Sequence, residues 1–177
     1  MHTNKPKPGQ PFPKIEVPQV GGGSLDLGER STDDNWKLLV VYRGRHCPIC
    51  TRYLNELNAI VPQLAELGVD VAAVSADSEA RANEQLAQVN PDFPVGHNLS
   101  IPQMEELGLY ISSPRHGMDV EAPFAEPGLF VIDQTGETRV ADISNVPFAR
   151  PDLGSMLKGI TFMRGMKGDF PANGTYA

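Results

Sequence analysis

The sequence predicts an α/β chain, a central mixed β-sheet flanked by helices, and three observations lead there. Lys37 to Tyr42 is a short, nearly unbroken apolar run in which Val40, Val41 and Tyr42 favour a buried strand. Val69 to Val74 is a second such run, and between the two lies an amphipathic stripe, Tyr53, Leu54, Leu57, Ile60, Val61, Leu64 and Leu67, at three-four spacing. Strand, helix and strand in that order make a crossover unit with parallel strands and a right-handed connection. Further on, Gly128 to Ile132 and Thr138 to Ile143 flank Asp133-Gln134-Thr135-Gly136, which reads as a β-hairpin and adds antiparallel strands to the sheet.

The remaining elements follow in chain order. Residues 5–20 hold Pro6, Pro8, Pro11, Pro13 and Pro18, which suits an extended arm laid over the domain. Val20-Gly21-Gly22-Gly23-Ser24-Leu25 is a tight turn between two short strands, an N-terminal β-hairpin extension. The long helix starts at Pro48, should be kinked by Pro62, and is stopped by Gly68. Ser75-Ala76-Asp77-Ser78 supplies caps for a polar helix from Glu79 to Val89. Tyr110 to Glu126 bears Pro and Gly without periodicity, long enough for a lid, an insertion or a homodimer contact. A last helix spans Pro151 to Arg164, weakened by Gly154 and Gly159.

With 177 residues, 40% of them hydrophobic, the chain can bury one sizeable core, so residues 1–177 are expected to form a single domain. A net charge of −7 argues against nucleic acid or an anionic membrane as the main partner. The N-terminal residues lack the apolar stretch of a signal peptide, and no apolar run approaches the roughly 18 residues of a membrane span. The expected address is the cytoplasm. There thiols are kept reduced, so the chain's two cysteines, Cys47 and Cys50, read as redox-active or metal-binding before they read as a structural staple.

Both cysteines stand where the first apolar strand runs into a helix, as Cys47-Pro48-Ile49-Cys50. This spacing lets two thiols close a small disulfide ring, while free N–H groups and the positive end of the helix dipole favour one thiolate. Cys47, directly before Pro48, is expected nearest to solvent and so is the expected attacking thiol, with Cys50 carried inward as the resolving one. Arg43, Arg45 and His46 lie just upstream and could lower a thiol pKa; as plain structure, the arginines are solvated charges at a strand end and His46 packs beside the disulfide. Zinc needs further ligands, and His46, His97 and His116 show no paired spacing; His2 falls in the terminal segment. No glycine-rich phosphate loop precedes a helix, so nucleotide binding has no support, and Glu105-Glu106 is a solvated helix face.

A strand-helix-strand half carrying Cys-x-x-Cys, followed by a hairpin and a helix, resembles the thioredoxin fold, and Cys-Pro-Ile-Cys differs by one residue from the Cys-Pro-Tyr-Cys of glutaredoxins. Pro127, in Pro-Gly-Leu-Phe-Val-Ile-Asp, matches the place where thioredoxin-like proteins carry a cis-proline facing the active site. The wider resemblance, over nearly the whole chain, is to the peroxiredoxin and thiol-specific antioxidant superfamily. Pro8-Gly9-Gln10-Pro11-Phe12-Pro13 is similar to its opening segment, and Val146-Pro147-Phe148-Ala149-Arg150 to its Leu-Pro-x-x-Arg segment. The subgroup most alike carries Arg-Gly-x-x-Cys-Pro-x-Cys.

That resemblance implies a thioredoxin-like fold, a Cys47–Cys50 disulfide, a cis Glu126-Pro127 peptide beside it, and Arg150 within reach of the site. It implies a thiol-disulfide oxidoreductase with an antioxidant role, without flavin, haem, nucleotide or metal, reduced by thioredoxin, glutaredoxin or glutathione. A thiol peroxidase acting on hydrogen peroxide or alkyl hydroperoxides is the alternative, and a redox sensor or zinc module a third. The peroxiredoxin Pro-x-x-x-Thr-x-x-Cys motif, laid on this chain, makes Cys50 the peroxide-reactive residue but puts Arg43 at the proline and Cys47 at the threonine. Pro127 takes the place of a peroxide-binding arginine, so Arg43, Arg45 and Arg150 are the candidate substitutes.

Overall fold

The computed structural model describes residues 5–120, 122–167 and 170–176; His2 lies outside them. Two short strands, β1 (Glu16–Pro18) and β2 (Ser24–Asp26), pair antiparallel across the glycine turn, giving the N-terminal hairpin. There follow β3 (Trp36–Val41), α1 (Pro48–Glu66), β4 (Val69–Val74), α2 (Glu79–Leu86), β5 (Val95–Gly96) and α3 (Ile101–Glu106). The second half contains β6 (Ile111–Ser112), β7 (Phe124–Ala125), β8 (Gly128–Ile132), β9 (Thr138–Ile143) and α4 (Leu153–Gly165). The main sheet has the order β5-β4-β3-β8-β9, with β3 parallel to β4 and antiparallel to β8, so it is mixed as expected.

Every residue of β3 is buried, because both faces of the strand are covered. Trp36, Leu38 and Val40 pack in one cluster with Leu54, Leu57 and Leu64 of α1 and Ile160 of α4. Leu39 and Val41 face the other way, against Ile15 and Val17 of the N-terminal arm and Met104 of α3. Burying one such leucine stabilises the fold by about 1.5–3 kcal/mol.

Local chemistry explains where the element ends differ from expectation. Pro62 lies inside α1 without interrupting it, since buried Leu57 and Leu64 hold the helix against the sheet on either side. Gly68 closes α1 with φ +68, a conformation that costs a glycine little, and its N–H donates to Ala65 O. The next helix stops at Leu86, short of Val89, where Asn90 turns left-handed at φ 49 and its N–H donates to Leu86 O. Asp152 caps α4 through a 2.7 Å bond from Ser155 N–H to its carboxylate, so that helix begins after Pro151. The segment without periodicity is tied at its base by the short β6–β7 pair, Ile111 opposite Ala125 and Ser112 opposite Phe124. Among the described residues, no helix is long and apolar enough to cross a membrane.

Candidate active site

The chain leaves β3 through Tyr42, whose N–H still donates to Val74 O, and turns at Gly44 with φ +124. A Cβ built at Gly44 would stand 2.5 Å from Asp77 Oδ2, so no other residue fits beside this carboxylate. That same oxygen accepts Arg45 N–H at 2.6 Å. From α2, fully buried Gln85 donates through Nε2 to Gly44 O and to Thr51 Oγ1, each at 3.0 Å, clamping the turn to α1. Cys47 N–H donates back to Gly44 O at 3.1 Å. The loop before the first cysteine is thus held from β4's end and from α2 at once.

Cys47 is the N-cap of α1, in extended conformation, with Pro48 in the first turn. Its sulfur accepts Cys50 N–H at 3.2 Å, and the two cysteines form a disulfide with Cα atoms 5.2 Å apart. Cys47, expected nearest to solvent, is 2% exposed and Cys50 0%, so in the disulfide both sulfurs lie in the interior and exposure scarcely separates them. Pro48 at the helix start is exposed, but the sulfurs turn inward, since Cys47 belongs to the same core cluster as Tyr42 and Tyr53, and the neighbouring His46 ring meets Phe124 at 4.5 Å.

Arg150 arrives from the segment before α4. Its Nη2 donates to Cys50 Sγ at 2.9 Å, its Nε to Pro147 O at 2.8 Å, and its guanidinium carbon stands 4.9 Å from the centre of the Tyr53 ring. Tyr53 in turn donates its hydroxyl to Pro151 O at 2.7 Å, and burial pushes its pKa up. Burial also lowers the Arg150 pKa to about 10, still well above neutrality, so the group stays charged. Among the described residues Arg150 has no carboxylate partner, and its Nη1 is buried without a hydrogen bond. A fixed cation without an ion-pair partner among the described residues therefore rests on the inner sulfur.

The other basic residues are occupied elsewhere. Arg43 Nε stands 3.1 Å from Glu126 Oε2, with its guanidinium over the Phe124 ring, and Glu126 also accepts Ser112 Oγ–H at 2.6 Å. Arg45 pairs with Glu84 at 2.6 Å and with Asp119, which Arg81 holds as well. Burial, then Arg43, lowers the His46 pKa below its ordinary value, so the imidazole is neutral at neutral pH and brings no positive charge. Sequence proximity to Cys47 is therefore no guide to which cation reaches a sulfur.

Pro127 lines a narrow crevice with Arg150, Tyr53, Val40 and Pro151. Its peptide with Glu126 is trans, against the expected cis form. The backbone runs extended here, with Glu126 N–H donating to Tyr110 O and Pro127 O accepting Ser144 N–H, and there is no tight turn for a cis bond to make. Gln85, Glu126, Asp77 and Tyr53 carry much of the site's construction, and no local sequence signal marks them for it: as sequence, Asp77 reads as a helix cap and Tyr53 as part of an apolar stripe. Among the described residues, no three of His, Cys, Asp and Glu are grouped as a metal site would require.

A dithiol–disulfide couple at the junction of a central strand and helix, with a half-buried guanidinium on one sulfur, defines a thiol redox protein. The AhpC/TSA family model matches residues 8–141, and the chain belongs to that family. It is 25% identical over 145 residues to a Synechocystis protein assigned as a peroxiredoxin, covering 80% of this chain and 71% of that one. Among solved structures, a cysteine-to-serine mutant of peroxiredoxin 6 from Arenicola marina superposes with a TM-score of 0.78 at 16% identity, covering 93% of this chain and 80% of the other. A peroxidoxin of Mycobacterium tuberculosis gives 0.72 at 18% identity, over 89% and 98%. The fold is thioredoxin-like, and the role is thiol-based redox chemistry of the peroxiredoxin kind.

Proposed function

We propose that the chain reduces peroxides through Cys50 and closes its cycle through Cys47. The observation that carries this reading is the 2.9 Å hydrogen bond to Cys50 Sγ from the half-buried Arg150, which has no carboxylate partner among the described residues. In the reduced protein that cation favours Cys50 as thiolate, and of the three arginines considered for the missing peroxide-binding donors it alone touches a sulfur. The thiolate attacks one peroxide oxygen, the O–O bond breaks, and Cys50 becomes a sulfenic acid while the other oxygen leaves as an alcohol or water after taking a proton. The Cys47 thiol then displaces the sulfenic hydroxyl as water and forms the disulfide. A dithiol donor, thioredoxin, glutaredoxin or glutathione, returns two electrons and reopens it, in the reducing setting of the cytoplasm.

A second reading has Cys47 attack disulfides, favoured by its N-cap position and the Cys50 N–H aimed at its sulfur. Reduced Cys47→Ser and Cys50→Ser proteins, mixed in stopped flow either with hydrogen peroxide and a sulfenic-acid trap or with a model disulfide, decide between them. Our assignment expects rapid trapping at position 50 in Cys47→Ser. Trapping absent there, with a stable mixed disulfide at position 47 in Cys50→Ser, gives the disulfide-reductase reading instead.

A further inference from the structure

Cys50 and Tyr53 stand at i and i+3 in α1, so the helix sets them side by side on its buried face, 0% and 7% exposed. The half-buried Arg150 meets both. Its Nη2 donates to Cys50 Sγ at 2.9 Å, while its guanidinium carbon stands 4.9 Å from the centre of the Tyr53 ring. The hydroxyl of the same ring donates to Pro151 O at 2.7 Å and fixes the backbone directly after Arg150. Tyr53 therefore holds this arginine at two points, its charged end and its chain. Beyond that the guanidinium has little to rest on, since Nε donates to Pro147 O, Nη2 to the sulfur, and Nη1 is buried without a hydrogen bond.

We propose that Tyr53 is a positioning residue for the peroxide reaction, seating the Arg150 guanidinium on Cys50 Sγ without neutralising it. The role rests on the reading of Cys50 as the attacking thiolate and acts wholly through Arg150, since the phenol spends its own hydrogen bond on Pro151 O. A carboxylate in this place would hold a guanidinium firmly but cancel most of the charge that a thiolate feels. An aromatic face attracts the cation through its quadrupole and carries no net charge. Burial keeps the Tyr53 hydroxyl above its ordinary pKa, so the ring is neutral at neutral pH. Of the other charged groups around the pair, Arg43 and Glu126 are engaged with each other and Asp152 caps α4. Asp142 lines the same crevice as Tyr53 and Arg150, and offers a carboxylate to a guanidinium that has lost its seat.

The test is the Cys50 thiol pKa, read from thiolate absorbance in the reduced Cys47→Ser protein, with sulfenic acid formation by hydrogen peroxide followed at position 50. Tyr53→Leu removes ring and hydroxyl and should raise that pKa by about one pH unit or more. Tyr53→Phe keeps the ring and should recover at least half of the difference. In an Arg150→Met background Tyr53→Leu should add nothing, because the seat then has no charge to hold; a loss of core packing alone would act in both backgrounds. Because Tyr53 belongs to the core, a second comparison keeps its shape: trifluorophenylalanine against phenylalanine at position 53 weakens the ring quadrupole and should raise the thiol pKa by about half a pH unit. An electron-poor ring acting directly on the sulfur would lower it. A thiol pKa unmoved by Tyr53→Leu and by fluorination, or raised equally with and without Arg150, overturns the positioning role alone. Peroxide oxidation absent at position 50 while wild type still turns over peroxide overturns the Cys50 reading, and the role of Tyr53 in the peroxide reaction with it.

Discussion

Arg150 and Cys50, a hundred residues apart in the chain, meet in a 2.9 Å hydrogen bond from guanidinium to sulfur. Neither residue's local sequence requires the other. The meeting is produced by the sheet order, which brings the segment after β9 and the first turn of α1 to the same end of the central strands.

Arg150→Met should raise the Cys50 thiol pKa in the reduced protein by about one to three pH units, the range expected when a close opposite charge is removed. Thiolate absorbance against pH measures it in the Cys47→Ser background. Arg150→Lys should restore part of the difference, because a point charge survives without the fork geometry. An unchanged titration in Arg150→Met would mean that the sulfur does not feel this charge.

Gln85→Leu should leave Gly44 O and the Thr51 hydroxyl without their shared donor, at about 1–3 kcal/mol for each group left unsatisfied. Chemical denaturation reports the stability loss. Hydrogen exchange reports the location: the Cys47 amide, which depends on Gly44 O, should exchange faster, while amides in the middle of α1 keep their wild-type protection relative to global stability.

Glu126→Gln should destabilise the fold by about 3–5 kcal/mol, because it strands the mostly buried Arg43 charge. The double change with Arg43→Met should cost less than the sum of the singles, since the second substitution removes the charge that the first orphaned. Strict additivity in thermal unfolding would show that the two side chains do not act as a pair.

Asp133 gives a pH signature. Burial alone would raise its pKa, but hydrogen bonds from Thr135, Arg139 and the Glu137 and Thr135 amides outweigh it and hold the carboxyl below its ordinary value. A depressed carboxyl pKa stabilises the fold above the unfolded value of about 3.9 and loses that contribution as pH falls through the folded value. Asp133→Asn should therefore be less stable than wild type by roughly 1–3 kcal/mol at neutral pH, with the gap closing below about pH 4. A gap that stays constant from pH 7 to 3 would assign the loss to geometry and not to charge.

The strands and the cysteine helix could be read from the chain because their signals are local. The apolar runs of β3 and β4, the stripe from Tyr53 to Leu64 and the Asp133 to Gly136 turn each fix an element within a few residues. The redox centre was legible for the same reason, as one tetrapeptide. What surrounds it was not, since Gln85 reaches back 41 residues to Gly44 and no periodicity marks a buried glutamine as a clamp. Arg43, Arg45 and His46 show the converse error: chain adjacency to Cys47 suggested influence, yet alternation and nearby acids turned the arginines to Glu126, Glu84 and Asp119. The cis-proline expectation failed because a motif transfers a residue more readily than the backbone path around it.

At Gly44, the space a methyl group would need is filled by the Asp77 carboxylate that grips the next amide. The disulfide ring is thereby anchored from outside itself, at a position that contributes no atom to it. For anyone redesigning this centre, the two residues inside the ring, Pro48 and Ile49, are the adjustable part, partly exposed and free of long-range hydrogen bonds from their side chains. Position 44 is the mounting screw: a new side chain there would unseat the sulfur pair while leaving the motif in the sequence intact.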